Sequence, residues 1–272
     1  MDLYNVETYL YPKELDQVKW QPGWTWLAGG TWIFSEAQPQ INTLVDMQGL
    51  GWSELEVTSE GLTIGATCVM SRLLQFSYPK HWTAVKALQS AAHELASFKV
   101  QNVATVAGNL CLALAASTFA PVMVVIDASY EILPLDGAPY QVSALDFQTG
   151  VRQTILKPGE VLRRIWIPQA NLEWQVNYRR ICVATAGLAI SIVVAAYNTK
   201  TSQVRFGIGA CVPAPRLIEF VHVPSTTELA EALDAQIPLT DFIEGGGASA
   251  VYRRHVTKVL MERSLQEAIN QI

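Results

Sequence analysis

The sequence is short of cysteine, of charge and of long apolar runs, and each shortage removes a class of function. Its four cysteines, Cys68, Cys111, Cys182 and Cys211, lie far apart, with no C-x-x-C pair and no histidine beside them. That spacing offers no zinc or iron–sulfur site. Only 16% of the 272 residues are charged, the formal net charge is −5, and no basic block stands out. A nucleic-acid partner, whose phosphates need such a block, is therefore not expected. The apolar run 184–197 is too short to span a bilayer and is rich in β-branched residues. Met1-Asp2-Leu3-Tyr4-Asn5 has neither the positive start nor the apolar stretch of a secretory signal. The expectation is a cytoplasmic protein with reduced thiols and no membrane span.

Catalytic constellations are missing too. His81, His93, His222 and His255 have neither metal-ligand nor H-E-x-x-H spacing. There is no G-x-S-x-G elbow and no G-x-x-x-x-G-K loop. Gly207-Ile208-Gly209 starts like a dinucleotide fingerprint but lacks a third glycine and a following helix, so glycine in a tightly packed strand is the better reading. Gly245-Gly246-Gly247 reads as a flexible linker at a helix start, and His93 and Glu94 as solvated surface. No residue is assigned a catalytic or metal-binding role.

What is present is a chain half hydrophobic, able to bury one large core or two ordinary ones. Its pattern predicts a short helix over 11–20, strands over 24–28 and 43–46, and a hairpin of 55–58 with 62–65 around Ser59-Glu60-Gly61. A short helix over 71–76 follows. Trp82, Val85, Leu88, Ala92 and Leu95 then recur at steps of three and four, the mark of an amphipathic helix. Residues 101–111 read as a loop, 119–126 as helix, and 130–133 and 161–167 as strands, the second closed by Pro168. A break near 168–175 suggests two domains, 1–170 and 171–272. Beyond it come β segments 175–182, 188–197 and 203–210 and helices 227–233 and 248–269. In the last helix Tyr252, Val256, Val259 and Leu260 form the inward stripe, with Arg253, Arg254 and Glu262 outside. This second unit reads as an antiparallel sheet carrying helices, an α+β domain.

Two loops remain. In Trp26-Leu27-Ala28-Gly29-Gly30-Thr31-Trp32-Ile33 an apolar strand ends at paired glycines. Glycine permits positive φ and close approach of a ligand to the backbone, and successive N–H groups in such a turn can form an anion-binding concavity. Alone, this is an ordinary turn. Thr105-Val106-Ala107-Gly108-Asn109 is of similar build. The pair suits a protein that holds a phosphate-bearing cofactor and leaves the chemistry to it.

Ala28-Gly29-Gly30-Thr31 resembles the first FAD-binding loop of the flavoprotein (medium) subunit of molybdenum hydroxylases, the xanthine dehydrogenase, carbon monoxide dehydrogenase and aldehyde oxidoreductase group. Thr105 to Cys111 resembles the second, usually Thr-Ile-Gly-Gly-Asn. Val45-Asp46 to Ile64-Gly65-Ala66, Glu160-Val161-Leu162 to Ile167-Pro168, and Tyr252-Arg253-Arg254-His255 match in the same order. The resemblance implies an α+β protein: a two-part FAD-binding domain of the vanillyl-alcohol oxidase (PCMH) type, then a smaller α+β domain. It implies that Trp26, Leu27, Ala28, Gly29, Gly30, Thr31, Trp32 and Ile33 wrap the pyrophosphate and approach the flavin. Thr105, Ala107, Gly108 and Asn109 bind from the second loop with Cys111 nearby, Leu162 lies against the flavin, and Arg180 stands where the family often has Lys. Molybdopterin and iron–sulfur clusters are implied on partner subunits, large and small, with NAD+ or oxygen as acceptor.

Three residues depart from the pattern. Ala107 replaces a glycine and is tolerable only at negative φ. Thr118 stands where the family commonly has a cofactor-contacting Asp, and Trp32 replaces a frequent acidic residue. The first reading is thus an electron-transfer flavoprotein subunit. The second, motivated by Thr118 and Ala107, is a docking subunit of the same fold that has lost FAD; a free-standing flavin oxidase is third.

Overall fold

The computed structural model describes residues 3–95, 97–184 and 187–270. The readings at Met1, Asp2 and residues 185–186 of the apolar run lie outside them. Three short parallel strands come first, β1 (Thr8–Leu10), β2 (Trp24–Leu27) and β3 (Thr43–Asp46), in the order β1-β3-β2. The helix expected over 11–20 is not formed. Only a 3-10 turn, Leu15–Gln17, is present. Ten residues hold a helix only if a face is buried, and here just Pro12 and Val18 are buried.

The second sheet is antiparallel and takes its strands from across the next hundred residues. β4 (Leu55–Val57) and β5 (Gly61–Gly65) form the expected hairpin. A Cβ on Gly61 would lie 2.1 Å from Ile167 O, so this turn needs glycine for close approach. Five helices intervene: α1 (Met70–Gln75), α2 (Val85–Leu95), α3 (Phe98–Gln101), α4 (Val106–Leu112) and α5 (Ala120–Val125). The 101–111 loop is thereby corrected: it is the end of one helix, a turn, and the start of another. Then come β6 (Ser129–Leu133), β7 (Tyr140–Ser143), α6 (Ala144–Phe147), the ribbon β8 (Gln148–Gly150) with β9 (Gln153–Thr154), and β10 (Val161–Pro168). The sheet order is β4-β5-β10-β6-β7, with β10 central between β5 and β6.

After α7 (Gln169–Leu172) the third sheet runs antiparallel in chain order: β11 (Gln175–Cys182), β12 (Ala189–Tyr197), β13 (Val204–Gly209) and β14 (Arg216–Phe220). The β12 run is apolar apart from the buried Ser191, which pairs with the Thr257 hydroxyl at 2.7 Å, because both of its faces are covered. Ile192, Val194 and Ala196 join the core shared with α2, α4 and α5, whereas Val193 and Ala195 face α8 (Thr226–Gln236) and α9 (Ala250–Ile269). A Cβ on Gly207 would fall 2.0 Å from Pro121 O, so α5 lies directly on β13 and the packed-strand reading of Gly207 holds. In α9 the predicted stripe holds at Val256 and Leu260, which are buried, and fails at its start, where Arg253 and not Tyr252 faces inward. Arg253 is 4% exposed and Tyr252 46%. The Arg253 guanidinium donates to the carbonyls of Ile190 (2.6 Å), Ala210 (3.2 Å) and Gly245 (2.9 Å), an inward role that apolar periodicity does not reveal.

Candidate cofactor site

A cleft of about 770 Å³ runs between the end of β2, the start of α4 and the segment leading into β10. Its size falls within the ~300–1,000 Å³ typical of small-molecule sites. β2 delivers the chain to Gly29 and Gly30. Gly30 has φ +68°, and a Cβ on Gly29 would sit 2.1 Å from Val103 O, so the first loop is pressed against the approach to the second. The next residues form one tight turn, with Phe34 N–H donating to Gly30 O and Ser35 N–H to Trp32 O, both at 2.9 Å. The N–H groups of residues 29–33 have no acceptor among the described residues. Five consecutive free donors at such a turn are a place for an anion.

The second loop is built otherwise. Thr105 caps α4, its Oγ1 accepting from Gly108 N–H at 2.9 Å. Val106 N–H reaches Cys68 O and Asn109 N–H reaches Thr105 O. Asn109 Oδ1 accepts from Ser117 Oγ (2.7 Å), which in turn accepts from Ala120 N–H and ties α4 to α5. Ala107 lies inside the helix and is not among the residues of positive φ, so its methyl is accommodated.

Of the residues expected at the site, Trp26, Ala28, Gly29, Gly30, Thr31, Trp32, Ile33, Thr105, Ala107, Gly108, Asn109, Cys111 and Leu162 line this one cleft. Leu27, Thr118 and Arg180 do not. Leu27 and Thr118 are buried, and the Thr118 hydroxyl has no partner among the described residues. Arg180 pairs with Glu94 at the end of α2 and donates to Gly187 O at 3.5 Å; Glu94, expected to be merely solvated, is thus an ion-pair partner. Sequence reasoning missed Trp20, Arg152, Lys157 and Leu188 in the lining. No motif marks them, since Arg152 lies in a turn and the other three in irregular segments, whose position only the fold determines.

The lining contains no histidine, and its ionisable side chains are Cys111, Arg152, Lys157 and Glu160. Cys111 is exposed, and the one influence on its thiol is desolvation, which raises the pKa; among the described residues no cation acts on it to favour a thiolate. The Glu160 carboxylate is occupied by Lys157 N–H (2.8 Å) and by the Tyr140 hydroxyl (2.9 Å). Burial and that carboxylate raise the Tyr140 pKa. The Trp32 indole nitrogen is sealed from solvent without an acceptor. Neutral N–H donors, two cations in the lining and mostly apolar walls fit an elongated molecule with an anionic centre and flat apolar ends. FAD has that chemistry. Among the described residues no group of three or more His, Cys, Asp or Glu could hold a metal, and no helix is long and apolar enough to cross a membrane.

Residues 6–170 match the family described as FAD binding domain in molybdopterin dehydrogenase, and the chain belongs to that family. It is similar to the xanthine dehydrogenase FAD-binding subunit of Escherichia coli O157:H7, 24% identical over 266 residues that cover 89% of this chain and 88% of that one. It is also 26% identical over 176 residues to the xanthine dehydrogenase/oxidase of Gallus gallus, covering 58% of this chain but only 13% of that protein. Among solved structures it superposes on quinoline 2-oxidoreductase from Pseudomonas putida 86 (TM-score 0.78, 20% identity, 98% and 99% of the two chains). It likewise superposes on carbon monoxide dehydrogenase from Hydrogenophaga pseudoflava (TM-score 0.82, 19% identity, 99% of each chain). These likenesses establish the fold: mixed helix and sheet, with antiparallel sheets, as the resemblance implied.

Proposed function

We infer that this chain is the FAD-binding electron-transfer subunit of a multi-subunit molybdenum-containing hydroxylase or dehydrogenase. The observation that carries the reading is the run of five unpaired N–H groups at residues 29–33, opening on the same cleft as the capped start of α4. Residues 29–33 would bind the pyrophosphate; Thr105, Ala107, Gly108 and Asn109 would form the facing wall, and Leu162 would lie against the ring system. Leu27, Thr118 and Arg180 would act one step back, through β2, the approach to α5 and Gly187. FAD when bound supplies redox chemistry, with electrons entering from iron–sulfur clusters on a small partner chain and leaving to NAD+ or oxygen.

The chain's own work is to bind and orient the cofactor and to exclude water from its apolar parts. No side chain lining the cleft is placed as an acid or base for a substrate, which agrees with hydroxylation at molybdopterin on a large partner subunit. A division at residue 170 into a PCMH-type FAD domain and an α+β domain, and a cytoplasmic location, belong to the same proposal. The test is the absorbance of the purified chain. It should carry flavin that passes into the filtrate on denaturation; a well-folded, colourless chain that cannot be reconstituted with FAD would sink the reading.

A further inference from the structure

Resting on the FAD reading, one cleft residue gains a specific task. The donors at residues 29–33 are neutral, whereas the diphosphate they would hold is anionic. Arg152 and Lys157 are the cations in the lining, and Arg152 is the one that lies over a side chain of the donor run, that of Trp32. Its guanidinium carbon lies 5.7 Å from the centroid of the Trp32 ring, inside cation–π range. Its contact with Glu36 is loose, 3.8 Å between side chains that are 52% and 49% exposed, so that pairing holds the guanidinium weakly. The guanidinium keeps donors in hand for an oxyanion.

The backbone adds a second argument. Arg152 sits at φ +57° in the turn between β8 and β9, pinned by its N–H to Ala113 O at 2.7 Å. A left-handed residue with a side chain is strained, and glycine is the relaxed choice there. A long cationic side chain at that position is explained by what the side chain does in the cleft.

We propose that Arg152 is the charge partner of the cofactor's diphosphate, held over the cleft by the Trp32 ring. The experiment titrates FAD into the flavin-stripped full-length chain at low and high salt, for wild type and for Arg152→Gln, Arg152→Lys and Arg152→Gly. Arg152→Gln should weaken FAD about tenfold, the usual worth of one charge-assisted hydrogen bond, and should flatten the salt dependence of binding. Arg152→Lys should recover part of both. Arg152→Gly should lose as much affinity as Gln while leaving the unfolding midpoint of the empty chain unchanged or higher. Arg152→Gln that binds FAD like wild type, or that binds less tightly with an unchanged salt dependence, overturns the proposal. A wild-type chain that takes up no FAD overturns the FAD reading together with it, whereas failure confined to the variants overturns only the role of Arg152.

Discussion

The two glycine-bearing loops look alike as sequence and are put to opposite uses by the fold. At residues 29–33 the N–H groups have no acceptor among the described residues. At 106–109 it satisfies all but that of Ala107 from within, through Cys68 O, Thr105 O and Thr105 Oγ1. The glycines differ accordingly. Gly29 and Gly30 answer to close approach and to positive φ, whereas a Cβ on Gly108 would meet the capping Thr105 Oγ1 at 2.7 Å. A loop can offer donors to a ligand only if it does not consume them itself. On that ground the first loop is the holder and the second is the wall it works against.

The strongest way to break this contrast is Gly29→Ala. The new methyl would collide with the backbone oxygen of Val103, which cannot step aside as a side chain can. A loss of about 3 kcal/mol or more is expected, as for overpacked cores. Urea denaturation of the empty chain measures it, and FAD uptake should vanish with the loop's position. Thr105→Ala comes next. It removes a helix cap, a loss of about 1 kcal/mol, visible as a lower unfolding midpoint. The free donors of the first loop stay in place, so FAD affinity should change less than twofold. A variant of normal stability that has lost FAD would mean that Thr105 holds the ligand directly and that the contrast is false.

Much of this was legible from residue order. The strand before Gly29, the hairpin around Gly61 and the amphipathic helix ending at Leu95 follow from local periodicity, and the structure forms all three. Two kinds of feature were not legible. β7 and β14 are short edge strands, each paired only with the strand just before it, and four or five residues carry too little periodicity to mark them. Arg253 and Arg152 are cations whose placement reverses what their type suggests: one is buried against carbonyls, the other held in a strained turn at a cleft. Charge reads as surface in a linear pattern, and only the fold says which surface has become a site. The FAD loops were legible by resemblance, but the difference between them was not. It lies in hydrogen bonds, and similar Gly, Thr and Asn residues serve either arrangement.

The smallest effect sharpens the second wall from behind. Thr118 is expected to touch the cofactor in place of an Asp, yet it is 4% exposed, does not line the cleft, and its hydroxyl has no partner among the described residues. An unsatisfied buried hydroxyl is a standing cost, so replacing it with a methyl of the same shape removes a penalty. Thr118→Val should therefore leave stability unchanged or raise it by up to about 1 kcal/mol, with FAD affinity as in wild type. Thr118→Asp should do the reverse, because a carboxylate there would be buried without a partner. If Val weakens FAD binding while the empty chain stays as stable as before, the hydroxyl is a cofactor ligand. The segment between α4 and α5 would then hold the molecule through a side chain, where the first loop does so through its backbone.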